Sequence, residues 1–471
     1  MRAIILTALI VMGWAAGAPV AAQQAEPGPG SSVTVTRDGE VWTAEFDLFR
    51  DAPVWAFQRS ALTREGLAPW RPAQWTVETA GVVLERQGHL DVLRTRDGGP
   101  VPRRVRLAMK PAAVDLLADY DPALTFTDGS VALYTGHFDV FPVESVEAAA
   151  ALPLDLNGVE TDSRTSRVTW SDRGGPVLFN GERRRDVVSE GPGTYVVFGQ
   201  ADFLDSPRLA TVLDPGLPAW IGAEISDFAP RIASYYAERL GPGEADKPTV
   251  MVSWNGPTPG LRSMGGSVLQ GLIIMAFEGQ VMTTRTEQVS THARWFIGHE
   301  SAHFWLGQTV RYERARDAWI TEGGADLMAV RGLSRLNPDY DARAALQREV
   351  DDCVALGKQP VASANERSEH RAYYACGAVF AMTAEGAQRR AKGGDWFDFL
   401  KPLIDASRED RVLTRDEWLD ALDAVSGDAS LRRDMEMLLD EGSPQPGEVV
   451  AGLLQRSGVA HRLEAGRVVL D

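Results

Sequence analysis

From Val33 the chain alternates apolar and polar residues with a period of two. Val33-Thr-Val-Thr and Val41-Trp-Thr-Ala-Glu-Phe-Asp-Leu flank Arg37-Asp38-Gly39-Glu40, which predicts a hairpin turning at Asp38-Gly39. Further strand-like runs begin at Gln74, Val82, Arg104, Val131, Arg167 and Thr194. Turn signals at Asp97-Gly98-Gly99-Pro100, Asp128-Gly129 and Asn180-Gly181 separate them. This spacing predicts an N-terminal antiparallel β-sandwich domain over residues 32–214. Its two histidines, His89 and His137, stand apart from each other in the sequence and read as surface or hydrogen-bonded residues rather than ligands.

Near residue 215 the period changes. Phe228, Ile232, Tyr235, Tyr236 and Leu240 form a helical stripe closed by Gly241-Pro-Gly. Strands are predicted from Thr249 and from Gly271, the second apolar on both faces. A helix is predicted from Ser290 to Gly307, with Trp295, Phe296, Ala302 and Leu306 as its core face. From Asp317 onward the pattern is mostly helical. Thr321 is placed as N-cap of a helix through Arg331 with Gly332 after it, and further helices are expected at 366–390, 395–406 and 414–425. Residues 215–440 therefore read as one mainly helical domain and 441–471 as a tail or small hairpin. The fold class is α+β multidomain. No internal repeat or phosphate loop is visible, and Gly265-Gly266-Ser267-Val268-Leu269 lacks the final glycine of a serine nucleophile elbow.

Composition narrows the setting. The 471 residues are 44% hydrophobic and 24% charged, with a formal net charge of −17. That balance argues against a basic face for nucleic acid or an anionic membrane. Residues 1–22 read as a secretory signal: Arg2, an apolar run from Ile4 to Trp14, and small residues at Val20-Ala21-Ala22 before a cleavage point at Gln23. Residues 23–31 read as a disordered leader. The expected location is periplasmic or secreted, without membrane insertion after signal cleavage. The two cysteines, Cys353 and Cys376, are a possible disulfide in an oxidising compartment or two buried thiols.

The candidate chemistry lies in His299-Glu300-Ser301-Ala302-His303. Histidine is scarce, seven in the chain, yet two fall four apart, which stacks them on one helix face. Two imidazoles so placed can hold one Zn²⁺ at about 2.0–2.1 Å from each nitrogen. Glu300 between them is the expected general base. Eighteen residues separate His303 from Glu322, room for the chain to return a third ligand from a second helix. Two nitrogens, one carboxylate and an open fourth position make a catalytic rather than a structural ligand set for one zinc per chain.

His299-Glu-Ser-Ala-His-Phe-Trp-Leu-Gly, followed by Trp319-Ile-Thr-Glu322-Gly-Gly-Ala, resembles the gluzincin metallopeptidases, most nearly the aminopeptidase N and glycyl aminopeptidase types. The resemblance implies a thermolysin-like catalytic domain behind the β domain. It implies a tyrosine that donates to the oxyanion, and Tyr374-Ala-Cys-Gly377 stands fifty-two residues after Glu322, with Tyr373 as the neighbouring register. His370, one turn before Tyr374, reads as a helix-surface histidine. Asp326, in a Glu-x-x-x-Asp arrangement like that of thermolysin, is implied to receive the second ring proton of a ligand histidine. One position departs from the pattern. Where aminopeptidases of this type carry the amine-binding glutamate of Gly-x-Met-Glu-Asn, the aligned stretch Gly265, Gly266, Ser267, Val268 places a valine. Its backbone remains suited to bind a peptide as an added strand.

The expected activity is hydrolysis of peptide bonds in a peptide or protein substrate. Alternatives are a catalytically inactive gluzincin-fold protein that binds a partner, and a zinc hydrolase of a non-peptide amide or epoxide.

Overall fold

The computed structural model describes residues 30–471 except 118, 192, 202, 206–209, 244–248 and 270. The signal segment 1–22 and most of the leader lie outside the described residues. The end of the leader, expected to be disordered, is structured: Ser31 is buried and its carbonyl accepts a hydrogen bond from the Arg167 amide at 2.9 Å. The pairing that starts the first sheet draws it in.

The β-rich half contains three sheets. The largest has six strands in the order Asp186–Ser189, Arg167–Asp172, Ser32–Asp38, Val41–Asp47, Arg104–Met109, Trp75–Val77. The predicted hairpin joins its third and fourth strands, with Gly39 at φ +61° in the turn. The alternation seen in sequence puts Val33, Val35, Trp42, Ala44 and Phe46 inside. They share one core with Trp55, Phe57 and Leu93 of a four-stranded sheet and with Val196 and Phe198 of a five-stranded one. The sheets are not wholly antiparallel as expected: Ser32–Asp38 pairs in parallel with Arg167–Asp172. The long connection between these strands removes the hairpin constraint that forces antiparallel pairing.

The second half is built on another five-stranded sheet, ordered Phe203–Asp205, Ala210–Leu213, Thr249–Trp254, Leu272–Glu278, Ser263–Leu269. The chain thus enters this sheet before the change of period at 215, because its first two strands show the same short alternation as the β-rich half. Ser263–Leu269 stands at the edge, antiparallel to Leu272–Glu278. Helix Ala219–Leu240 buries the stripe Phe228, Ile232, Tyr236, Leu240 against the common core.

Several helix ends differ from expectation. The helix carrying the histidines spans Glu287–Ala302, not 290–307; Thr286 accepts from the Val289 amide at its start, and His303 is its C-cap. The next spans Trp319–Leu336. Thr321 lies inside it, donating its hydroxyl to the Ala318 carbonyl at 3.2 Å. Gly332 lies inside it too, since a Cβ there would meet Ile232 Cδ1 at 2.3 Å; the glycine serves packing, not termination. The helix expected at 366–390 spans Arg371–Lys392, because Ser368 at φ +58° separates it from a short 3₁₀ segment, Val361–Arg367. The ends at 395–406 and 414–425 fall within a residue of expectation, with capping boxes at Asp395 and Thr414. Helices Ala342–Leu356 and Ala429–Asp440 were not placed separately, although Asp341 and Asp428 cap their starts and Gly357 follows the first. The segment 441–471 holds helix Pro446–Ser457 as well as a hairpin, and its Val450, Leu453 and Leu454 join the core instead of trailing as a tail. Cys353 and Cys376 form a disulfide between Ala342–Leu356 and Arg371–Lys392. Among the described residues no helix is long and apolar enough to cross a membrane.

Candidate metal centre

His299 lies in the last turn of helix Glu287–Ala302 and His303 is its C-cap, and the four-residue spacing turns both rings to one side. Their Nε2 atoms are 3.0 Å apart. Glu322, in the first turn of Trp319–Leu336, brings Oε2 to 3.4 Å from each of them. The outer nitrogens are engaged: His299 Nδ1 lies 2.8 Å from Asp326 Oδ1, and His303 Nδ1 lies 2.7 Å from the Leu306 carbonyl. Both partners accept only, so each Nδ1 carries the proton and each Nε2 presents its lone pair inward. Two lone pairs and a buried carboxylate oxygen without a hydrogen-bond donor then face one point. A shared cation would satisfy all three groups at once, and their donor types suit a divalent ion with borderline nitrogen and oxygen preference. Burial opposes charge on Glu322, but when the imidazoles of His303 and His299 carry a proton instead of a metal their positive charge reverses this and holds its carboxyl far below the ordinary range.

Two glycines set this geometry. A Cβ on Gly323 would stand 2.1 Å from Gly377 carbonyl carbon, and one on Gly377 would stand 2.3 Å from the Trp319 oxygen. The helices Trp319–Leu336 and Arg371–Lys392 therefore touch main chain to main chain. That contact brings Glu322 and Tyr374 to the same space. Tyr374 stacks on His299 with ring centroids 5.7 Å apart and planes 21° apart. Burial, then the charge of Glu322, pushes its phenol well above the usual value and keeps it a neutral donor. Tyr373 points elsewhere, donating to the Ala362 carbonyl at 3.1 Å. His370 sits half-buried at the N-terminal end of the same helix, where burial and Arg64 hold its imidazole down against the pull of Glu322.

Asp326 is 1% exposed and, besides His299, faces Arg371 Nη1 at 3.6 Å. Arg371 also pairs with Glu349 at 2.8 Å and Asp352 at 2.9 Å. Burial, then Asp326, pushes Glu349 up to about 7. The arginine balances the carboxylate that orients His299.

Glu300 is 5% exposed, and burial pushes its carboxyl up while His299 and His303 pull it down. It lies under the edge strand. Gly265 and Gly266 are exposed there, and Ser267 and Val268 half-buried. The far end of the strand is already occupied. Tyr120 from the β-rich half donates its hydroxyl to the Val268 carbonyl at 3.3 Å. Gln308 bonds the Leu269 carbonyl and accepts from the Gly271 amide at 3.2 Å. The main chain open to a ligand is therefore 263–267.

Tyr120 and Gln308 were missed by sequence reasoning, since neither belongs to a motif and Tyr120 comes from the other half of the chain. Trp295, expected in the core, is half-buried with its ring 5.6 Å from that of His299. Its position four residues before His299 was the signal, because that spacing shares the ligand face. His137, expected on the surface or hydrogen-bonded, is buried and bonds the Tyr120 carbonyl through Nε2 at 2.8 Å.

Solved structures share this fold. An aminopeptidase N family protein from Idiomarina loihiensis superposes with a TM-score of 0.58 at 11% identity over 89% of this chain and 78% of its own. Leukotriene A4 hydrolase from Saccharomyces cerevisiae gives 0.52 at 11% identity over 88% and 68%. An M1 zinc metallopeptidase mutant from Deinococcus radiodurans, bound to a Tyr-Ser-Ala substrate, gives 0.51 at 14% identity over 88% and 94%. At these identities the likeness is one of fold. Neither a protein-family model nor a curated protein matches the sequence.

Proposed function

We propose that the chain is a zinc-dependent peptidase working in the periplasm or outside the cell, with His299, His303 and Glu322 as the ligands of one zinc ion. The observation that carries this reading is the convergence of two inward Nε2 lone pairs and Glu322 Oε2 beside the buried carboxyl of Glu300. Zinc in such a site supplies Lewis acidity and lowers the pKa of a water near it. The fold shared with zinc metallopeptidases supports the choice of metal.

The residues of the chain then divide the work. Glu300 takes the proton of the attacking water and delivers it to the leaving amine, a role that a carboxyl raised by burial suits. Tyr374 donates its hydroxyl to the oxyanion of the tetrahedral intermediate. Asp326 and the Leu306 carbonyl hold the two imidazoles in the tautomer that leaves Nε2 free. Residues Gly265, Gly266 and Ser267 offer main-chain groups to an extended substrate, while the Val268 carbonyl is held by Tyr120. A valine cannot pair with an ammonium, so a free N-terminal amine is not required. The disulfide Cys353–Cys376 supports a location in an oxidising compartment.

A second reading, hydrolysis of a non-peptide amide or epoxide, is favoured by the same Val268, which leaves that end of the cleft without an amine anchor. The test is zinc analysis of the purified protein followed by a peptide-library digest read by mass spectrometry. One zinc per chain and cleavage of N-acetylated and free peptides at similar rates are expected. A protein that binds zinc but cleaves no peptide shifts the choice to the second reading; one that binds no zinc rules out both.

A further inference from the structure

Arg371 opens the helix Arg371–Lys392, one turn before Tyr374, and its guanidinium meets two other helices. Each of its three nitrogens faces a different carboxylate. Nε donates to Asp352 Oδ2 at 2.9 Å and Nη2 donates to Glu349 Oε2 at 2.8 Å, both on Ala342–Leu356. Nη1 stands 3.6 Å from Asp326 Oδ2 on Trp319–Leu336. A guanidinium can join three elements in this way because its donors diverge in fixed directions, which a lysine ammonium does not reproduce.

Asp326 is the carboxylate that needs this junction. Its Oδ1 lies 2.8 Å from His299 Nδ1, whereas its Oδ2 is buried and accepts no hydrogen bond among the described residues. There, Arg371 is the one group besides His299 within ion-pair distance of it. A buried carboxylate without a compensating charge is costly. The guanidinium offsets the charge at the outer oxygen and so keeps the inner one on His299. A carboxylate turned away would leave the ring without the partner that fixes its tautomer and its angle to the metal.

Arg371 is itself held from behind. Glu349 is buried, and the Cys353–Cys376 disulfide joins the same two helices next to Asp352. The contacts thus run from Glu349 and Asp352 through Arg371 and Asp326 to His299, with no link longer than 3.6 Å.

We propose that Arg371 is a positioning residue for the metal centre: by holding Asp326 it sets the orientation of the His299 imidazole, and affinity for zinc depends on it although it lies outside the ligand set. This rests on the zinc reading above.

The first measurement is zinc affinity, by competition with a chromophoric chelator. Arg371→Met is expected to weaken it about tenfold, the lower end of what the orienting partners of a ligand contribute. Arg371→Lys restores part of that loss, since an ammonium keeps the charge without the fork. A double-mutant cycle with Asp326→Asn separates positioning from general support of the fold. When Asp326 is already Asn, Arg371→Met is expected to change zinc affinity by less than about twofold. An unchanged affinity in Arg371→Met, or the same loss in both backgrounds, overturns the proposal.

The second measurement uses proton NMR of the zinc-free protein carrying isotope-labelled histidine, seven residues in all. The Nδ1–H of His299, identified by its disappearance in Asp326→Asn, is expected as an exchange-protected signal in the wild type and is expected to be lost in Arg371→Met. A signal missing from the wild type, or unchanged in Arg371→Met, overturns the proposal. If Arg371→Met does not fold, Arg371→Lys takes its place in both measurements under the same criteria. A wild type that binds no zinc removes the metal reading, and the imidazole signal still decides the role of Arg371.

Discussion

Gly266 lies directly on Glu300: a Cβ added to the glycine would stand 2.7 Å from the carboxyl carbon, and 2.6 Å from Phe296 Cζ. Phe296 is held in the core, whereas the carboxyl is the movable end of the Glu300 side chain, so the carboxyl is what gives way. Gly266→Ala is therefore expected to displace the carboxyl while leaving His299, His303 and Glu322 in place. Zinc content should stay near one per chain and kcat/KM should fall by about 10² or more, since a displacement of about 1 Å costs that much. Loss of zinc along with activity would contradict the local origin of the effect.

Glu300→Gln removes the base but keeps the shape. Bound zinc is expected to be unchanged, and turnover to drop by about 10²–10⁴, the range that general acid–base catalysis contributes. Full turnover in this variant would refute the mechanism, whatever the substrate.

Tyr373 and Tyr374 are adjacent yet face different surroundings. Tyr374→Phe is expected to lower kcat by about 10²–10³ with KM little changed, the loss of one oxyanion donor. Tyr373→Phe instead removes a hydrogen bond to the Ala362 carbonyl and should cost about 1 kcal/mol of stability, read by urea denaturation. The reverse pattern would assign the oxyanion role to the wrong neighbour.

The β-rich half carries a pH signature. Burial pushes His137 down to about 4, against about 6.5 in an unfolded chain. A depressed histidine favours folding where both states are neutral, so its contribution is full above pH about 6.5 and is lost as pH falls toward about 4. Asp139, pushed up to about 6 by burial, and Asp121, pushed up to about 7 by burial, act in the opposite sense and lose their contribution as pH rises. The histidine term is isolated by comparison with His137→Gln. The wild type's stability relative to that variant should rise by up to about 3 kcal/mol between pH 4 and 6.5 in urea titrations. A difference that stays flat with pH would mean that His137 protonates at the same pH folded as unfolded.

What was legible in the sequence followed from chain distance. His299, Glu300 and His303 lie within one helical turn and a half, so spacing alone puts them together. Glu322 was reachable because eighteen residues leave room for the chain to return, whereas Asp326 and Tyr374 were reached only through the resemblance to gluzincins. The β alternation of 32–47 was plain for the same local reason. The rest depends on surroundings. Trp295 looked like core because an aromatic residue on an amphipathic helix usually is; it packs against the core on one side and against the rings of His292 and His299, and stays half-buried. Tyr120 reaches Val268 across 148 residues of separation, which no periodicity encodes. Gly332 read as a stop because glycine often ends a helix, whereas here the ring of Tyr236 and the side chain of Ile232 require its small size.

The contact of Gly323 with Gly377 has a thermal consequence. A spacing set by side chains loosens gradually on warming, as rotamers exchange and neighbours follow. A main chain resting on a main chain has no rotamers to exchange. The distance from Glu322 to Tyr374 is thus held until the two helices part. Heat inactivation of the proposed activity should then be abrupt, coinciding with the melting of the helical half rather than preceding it.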